Sequence, residues 1–454
     1  MTKQQKLILF IAILASFVTF LDGSVVGVAL PAISRQLGGG LLTQQWVNDA
    51  YLITLGTLIL AAGSLSDIFG RKKILTIGLY GFLITSLACA IAPSSLILII
   101  ARGLQGVTGA LLVPSSLALI ISAFSGKAQA KAIGSWTAWT GIAFVVGPLI
   151  GGLMVDFMSW RLVFAINVIP IAVALWLLRT VVTARTTTRE KIDTHGIWLG
   201  IVALGGIVYA LIEQGRYGWG SPLIYATFGL GALALASFIV HERRTPQPML
   251  PLSLFHTRNF GVGNVATFFI YGALSLQGFL LVIFLQQTAH YSALAAGMSS
   301  IPVTILLFFL SSRFGALSGT YGPRLFMTLG PIISGLGTLL MLSVRLPTDY
   351  LTQLLPGILV FGLGLAITVA PLTSAILGSI EQAQAGIGSA INNAIARIAG
   401  LLAIAAIGIF IGNSITLAGF HVGMIICAAL LIFGGILSAI GIENKSASAP
   451  TSSS

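Results

Sequence analysis

The sequence predicts an all-α integral membrane protein: 14 transmembrane helices, in two pseudo-symmetric six-helix bundles plus two inserted helices. Three observations carry this expectation. First, 56% of the 454 residues are hydrophobic and only 7% are charged, whereas soluble domains average roughly 25% charged residues. The chain lacks the side chains to build a water-facing surface. Second, its apolar residues gather into runs long enough for a bilayer core about 30 Å thick, which takes roughly 20 helical residues to cross. Third, Lys and Arg concentrate in alternate connecting segments.

The first six runs, at 7–30, 46–66, 74–92, 96–121, 133–155 and 161–179, make up an N-terminal bundle over residues 1–179. Runs at 196–214 and 222–240 lie within residues 180–259, flanked by the longest inside segments, 180–194 and 241–259, so the pair reads as an insertion. The last six, at 260–286, 293–312, 325–343, 351–378, 386–411 and 419–441, form a C-terminal bundle over residues 260–443. Residues 444–454, rich in Ser and Ala, read as a disordered cytoplasmic tail.

The net charge of +12 would suit a nucleic-acid binder if the basic residues formed a patch. They do not. With the N-terminus placed in the cytoplasm, Lys3, Lys6, Arg71, Lys72, Lys73, Lys127, Lys131, Arg179 and most others fall inside, and only Arg35, Arg161, Arg216 and Arg345 fall outside. That asymmetry orients the chain with both termini cytoplasmic, in the cell (inner or plasma) membrane, and accounts for the charge without nucleic acid. Lys3 and Lys6 before an apolar run resemble a signal peptide, but the run outlasts an h-region and no small-residue cleavage site follows.

No inter-span segment is long enough for a soluble catalytic domain, and no GxxxxGK[ST] phosphate loop or GxSxG elbow occurs. Cys89 and Cys427 sit singly in apolar runs, and His195, His241, His256, His290 and His421 are scattered without metal-ligand spacing. The expectation is therefore no enzyme, no metal and no cofactor. Small-molecule substrate, protons and membrane lipids are the expected partners, and a monomer suffices.

An internal repeat supports the two-bundle arrangement. GSLSDIFGRKK (63–73) and GALSGTYGPR (315–324) share Gly, Leu, Ser and a second Gly at matching offsets, each followed by a basic residue. With the inserted pair set aside, both are the second inter-helix loop of a six-helix half. Secondary transporters are commonly built from such repeats, with substrate bound between them near the midplane.

Six stretches in order then resemble the major facilitator superfamily, and within it the fourteen-helix drug:proton antiporter branch. They are LDGSVVGVALP (21–31), GSLSDIFGRKK (63–73), ARGLQGVTGALLVP (101–114), VVGPLIGG (145–152), WRLVFAINVIP (160–170) and DTHGIWLGIVALGGIVYALIEQGRYGWGSP (193–222). The resemblance implies a proton-coupled exporter working by alternating access, of the kind that confers multidrug and antibiotic resistance. It implies that Asp67 and Arg71 latch neighbouring helices in the outward-open state, with Gly63 and Gly70 allowing close approach and a tight turn. The second repeat has Gly319 where Asp67 stands in the first, so gating would be asymmetric.

Charge inside a span costs several kcal/mol, so an intramembrane acid is a functional candidate. Asp22 lies nine residues before Pro31, about 13 Å from that outer end at 1.5 Å per residue. Asp49 is expected about 6 Å deep and Arg102 about 9 Å deep on the same scale. The expectation is that Asp22 binds the coupled proton while Asp49 and Arg102 tune its affinity; a static Asp–Arg pair pinning helices is the alternative. Ala143, Gly147 and Gly151 recur every four residues, a spacing that lets helix backbones pack closely, and Pro148 adds a kink. The exporter resemblance implies that Gly147, Pro148 and Gly151 form a hinge against a helix of the opposite half.

Candidate substrate groups are Asp22, Gln277, Asn392, Asn393 and Arg397, the last on a span that has no acid among the final six spans to neutralise it. Glu213 is expected at the membrane interface, and Asp156 and Arg161 as an outer-loop ion pair. The leading function is proton-coupled export of amphipathic cationic or neutral small molecules. A lipid or glycolipid translocase on the same fold is the second reading, and a membrane-embedded enzyme or scaffold the third.

Overall fold

A computed structural model describes residues 1–181 and 193–444, apart from the side chains of Asp67, Ala130 and Ala383. Among the described residues there is no strand. The helices are α1 (Lys3–Leu37), α2 (Gly40–Phe69), α3 (Arg71–Ala90), α4 (Ser95–Ala123), α5 (Gly126–Phe157), α6 (Leu162–Ala165), α7 (Val168–Leu178), α8 (Thr194–Tyr217), α9 (Pro222–Arg244), α10 (Arg258–Gln287), α11 (Ala293–Met298), α12 (Ile301–Tyr321), α13 (Pro323–Leu340), α14 (Leu355–Leu377), α15 (Ala385–Ile411) and α16 (Leu417–Gly441). Among the described residues 13 helices are long and apolar enough to cross a membrane, counting α11 with α12, and the shorter apolar stretch Leu162–Leu178 holds α6 and α7. Large apolar side chains such as Ile84, Ile100, Ile169, Trp176, Phe308 and Phe309 stand exposed, as helices facing hydrocarbon require.

Proline sets the breaks. Pro170 has no N–H to give the Ile166 carbonyl, and the sixth apolar run divides just there, between Ala165 and Val168. Pro302 likewise follows the bend between α11 and α12 at Ser299 and Ser300. The apolar runs find the helices but not their polar ends. α2 starts at Gly40 rather than 46, because Gly38, Gly39 and Gly40 take positive φ and turn the chain before it.

The described chain forms two compact units. The first comprises Met1–Pro251, Gly278–Ser299 and Leu401–Phe420. Its core joins α1, α2, α3, α4 and α7 through Ile11, Ala15, Val18, Tyr51, Leu55, Leu79, Phe82, Leu112, Leu119, Ile171 and Ala174, all buried. α4 lies so close to α2 that a Cβ on Gly106 would sit 2.3 Å from the Tyr51 carbonyl oxygen, and Thr54 Oγ1 donates to the Gly103 carbonyl at 2.8 Å. The inserted helices α8 and α9 meet backbone to backbone, where a Cβ on Gly206 would lie 3.0 Å from Gly231 Cα. They join α2 through Trp46 Nε1, which donates to Glu213 Oε1 at 2.8 Å. Glu213 is thus a buried acceptor.

The second unit comprises Leu252–Gln277, Ser300–Gly400 and the described chain from His421 onward. α13 and α14 pack through glycine: a Cβ on Gly337 would sit 2.3 Å from the Phe361 nitrogen, and one on Gly364 2.4 Å from the Gly330 carbonyl oxygen. Ser334 Oγ donates to the Phe361 carbonyl at 3.0 Å. Without a hydrophobic force between helices in lipid, close backbone packing and such interhelical bonds hold them together.

Candidate functional site

Asp22 and Arg102 meet at the centre of the first unit. Arg102 Nη1 donates to Asp22 Oδ2 at 2.6 Å, with the two side chains 1% and 0% exposed. Asp22 Oδ1 accepts from Gln105 Nε2 and from Asn167 Nδ2, each at 3.0 Å. Arg102 also donates to Gln105 Oε1 at 2.7 Å and, through Nε, to the Val47 carbonyl at 3.1 Å. Its guanidinium lies over the Tyr51 ring, 4.2 Å from the centroid, a cation–π contact away from water. Ser86 Oγ accepts from Gln105 at 2.9 Å. Four helices converge here: α1 brings Asp22, α2 Tyr51 and the Val47 carbonyl, α3 Ser86, and α4 both Arg102 and Gln105 three residues apart on one face. Asn167 comes from the break between α6 and α7, where Pro170 interrupts the helix.

Asp49 is as buried as Asp22, 0% exposed, but its partners differ. Its Oδ1 accepts from Asn48 Nδ2 at 2.9 Å, and its Oδ2 is buried with no hydrogen-bond partner. Because α2 begins at Gly40, Asp49 lies nine residues into the helix, about 14 Å along it. Arg102 reaches the Val47 carbonyl on the same helix.

The exporter-like stretch of α5 makes two contacts. Gly147 and Gly151 face α1: a Cβ on Gly147 would lie 2.0 Å from Ser24 Oγ, and one on Gly151 2.7 Å from Val25 Cγ2. Ser24 Oγ donates to the Ala143 carbonyl at 3.0 Å. Pro148 and Gly152 face α11 instead. A Cβ on Gly152 would lie 2.4 Å from Leu294 Cα, and one on Gly297 2.5 Å from the Pro148 carbonyl oxygen. Contact with the C-terminal half of the sequence is thus made by Pro148, one of the three expected residues, together with Gly152, while Gly147 and Gly151 face α1.

Arg161 does not pair with Asp156. It donates to the Ala92 carbonyl at 2.9 Å and to Gln36 Oε1 at 3.2 Å and stacks on Trp160, while Asp156 accepts from backbone amides of α11. In the loop after α2, Gly70 takes φ +94°, which lets the chain turn into α3. A Cβ on Gly63 would meet nothing within 4 Å among the described residues. The Asp67 side chain lies outside the described residues, and with it the latch expected between Asp67 and Arg71.

In the second unit, Asn392 Nδ2 donates to Thr267 Oγ1 at 2.9 Å and Asn264 Oδ1 at 3.1 Å, joining α15 to α10. Asn393 is exposed, and Arg397 half-buried, on the same helix. Gln277 is buried and accepts from Thr338 Oγ1 at 2.8 Å, so it ties α10 to α13. Gln105, Asn167 and Ser86 were not singled out from sequence. Gln105 stands inside ARGLQG and Asn167 inside WRLVFAINVIP, and a polar side chain in an apolar run was the available signal.

Comparison with known proteins identifies this helical bundle as a transporter rather than an enzyme. The chain belongs to the Major Facilitator Superfamily, which matches residues 12–404. It is 33% identical over 414 residues to the multidrug resistance protein Stp of Mycobacterium tuberculosis, covering 90% of this chain and 76% of that protein. It is 32% identical to the methylenomycin A resistance protein of Bacillus subtilis, covering 90% and 88%, and 33% identical to the puromycin resistance protein pur8 of Streptomyces alboniger, covering 87% and 80%. Among solved structures, a D-xylose-proton symporter superposes with a TM-score of 0.68 at 15% identity over 96% of this chain and 98% of that one. A peptide transporter POT in complex with sulfate gives 0.69 at 15%, over 95% and 93%. These relations make the protein a multi-pass membrane transporter with the fold of the superfamily.

Proposed function

We propose that the protein is a proton-coupled antiporter that exports amphipathic small molecules of the antibiotic class, with Asp49 as the proton carrier. The kinship with resistance proteins for puromycin and methylenomycin A supports the cargo class. In this reading the chain crosses the plasma membrane 14 times, α6 and α7 together making one crossing. Both termini are cytoplasmic, two six-helix bundles over 1–179 and 260–443 flank the inserted pair within 180–259, and the monomer is the working unit. The half-buried Arg397 and exposed Asn393 remain candidates for contact with cargo.

One observation carries the assignment of the proton: two equally buried acids have opposite hydrogen-bond surroundings. Asp22 accepts from a guanidinium and two amides, a donor set that suits a carboxylate. Asp49 Oδ2 has no donor, and a buried carboxylate oxygen without one is satisfied most simply by carrying a proton itself. Asp22 and Arg102 then form a fixed charge pair, a role nearer the static alternative than the one first expected of Asp22.

The test is efflux of a fluorescent cationic dye from proteoliposomes under an imposed pH gradient. Asp49→Asn removes gradient-driven transport while dye exchange at equal pH persists. Undiminished gradient-driven transport by a folded Asp49→Asn protein would overturn the assignment. Lipid flipping measured in the same vesicles distinguishes the translocase reading.

A further inference from the structure

We propose that Asp156 is the latch that holds the outer end of the transport route shut, by capping the start of the helix that continues into α12. Its two carboxylate oxygens accept from the backbone amides of Ala293 at 2.9 Å and Leu294 at 2.8 Å. The first amides of a helix have no intrahelical partner, and here three are satisfied: two by Asp156 from across the contact and the third, of Ala295, by Ser292 Oγ at 3.1 Å. Two of these three bonds are supplied by another helix, so they exist only while α5 and α11 touch.

The placement of the acid argues for this role. Asp156 is the next-to-last residue of α5, where an acid is unfavourable against the negative end of its own helix dipole and favourable against the positive end of another. The backbones beneath it are in contact, Gly152 against Leu294 and Gly297 against the Pro148 carbonyl. Asp156 itself is exposed, so water can replace its two bonds when the contact opens. Gln45 Nε2 adds a bond to the Ile404 carbonyl at 2.7 Å, joining α2 to α15 in the same unit. The latch rests on the alternating-access reading and on this end facing outward, but not on which acid carries the proton.

The test is labelling of intact cells by a membrane-impermeant maleimide, with Cys89 and Cys427, both 0% exposed, left in place. Ile404→Cys, at a position 3% exposed, reports opening, and Met158→Cys, at a position 71% exposed beside the latch, reports sidedness. Losing a helix cap shifts an equilibrium by about three- to thirtyfold. Asp156→Ala is therefore expected to speed labelling of Ile404→Cys by that factor and leave Met158→Cys unchanged. Asp156→Asn, which keeps one acceptor, falls between, and Gly152→Ala speeds labelling by wedging the backbones apart.

Equal Ile404→Cys rates in wild type, Asp156→Asn and Gly152→Ala overturn the latch even if Asp156→Ala fails to fold. Failure of Met158→Cys to label from outside overturns the outward placement instead, and inside-out vesicles then read the same latch from the other face. An Asp49→Asn protein still driven by the gradient, together with the expected labelling pattern, removes the proton assignment and keeps the latch.

Discussion

The Asp22–Arg102 pair makes a quantitative demand on stability. Replacing Arg102 by Gln leaves a carboxylate that is 0% exposed with only Gln105 and Asn167 as donors. Replacing Asp22 by Asn strands a guanidinium that is 1% exposed, with Val47, Gln105 and the Tyr51 ring around it. Removing one partner of a buried pair costs about 3–5 kcal/mol, because the other charge is left uncompensated, whereas replacing both is often near neutral. The double variant Asp22→Asn/Arg102→Gln is thus expected to be more stable than either single one, with a coupling energy of at least about 2 kcal/mol in the double-mutant cycle. Unfolding in mixed micelles of detergent and SDS, followed by Trp fluorescence, measures all four corners. Single variants each within about 1 kcal/mol of wild type, and additive in the double, would refute the idea that these charges depend on each other.

Gly147→Ala places a Cβ 2.0 Å from Ser24 Oγ. It is expected to cost about 1–3 kcal/mol in the same unfolding assay, most of it recovered in Gly147→Ala/Ser24→Ala, where the obstructing oxygen is gone. Trp46→Phe leaves the buried Glu213 acceptor without its donor and should destabilise by about 1–3 kcal/mol. Glu213→Gln keeps an acceptor oxygen and is expected to be milder, measured as the shift in unfolding midpoint.

Length and hydropathy were enough to find the helices, because a bilayer fixes how many apolar residues each one needs. They were not enough to find where the helices end. α2 extends over the polar stretch before residue 46 because positive-φ glycines, not an apolar threshold, start it. The pairing of Asp22 with Arg102 was legible because few charges lie within spans and each needs compensation. The rest of that network was not: Gln105 and Asn167 are uncharged, and Asn167 reaches Asp22 only because the helix breaks before Pro170. Asp156 was misread for a related reason. Nearness in sequence suggested Arg161, but α5 ends at Phe157 between the two, and each finds main-chain partners instead.

The contrast between the two buried acids bears on how coupling could work at all. A group that carries a proton through a cycle must exist both with and without it at comparable cost. Asp22 accepts three hydrogen bonds, one from a cation, so both of its oxygens are already committed to donors. Asp49 has a single amide donor, and its second oxygen has no hydrogen bond to lose. Arg102 already donates to the Val47 carbonyl on Asp49's own helix. A lysine in place of Arg102 keeps the charge but not the fork that binds Asp22, Gln105 and Val47 at once, so Arg102→Lys should fold yet couple poorly. Gradient-driven dye efflux by Arg102→Lys equal to that of wild type would show that the charge alone, without the fork's geometry, is what the carrier requires.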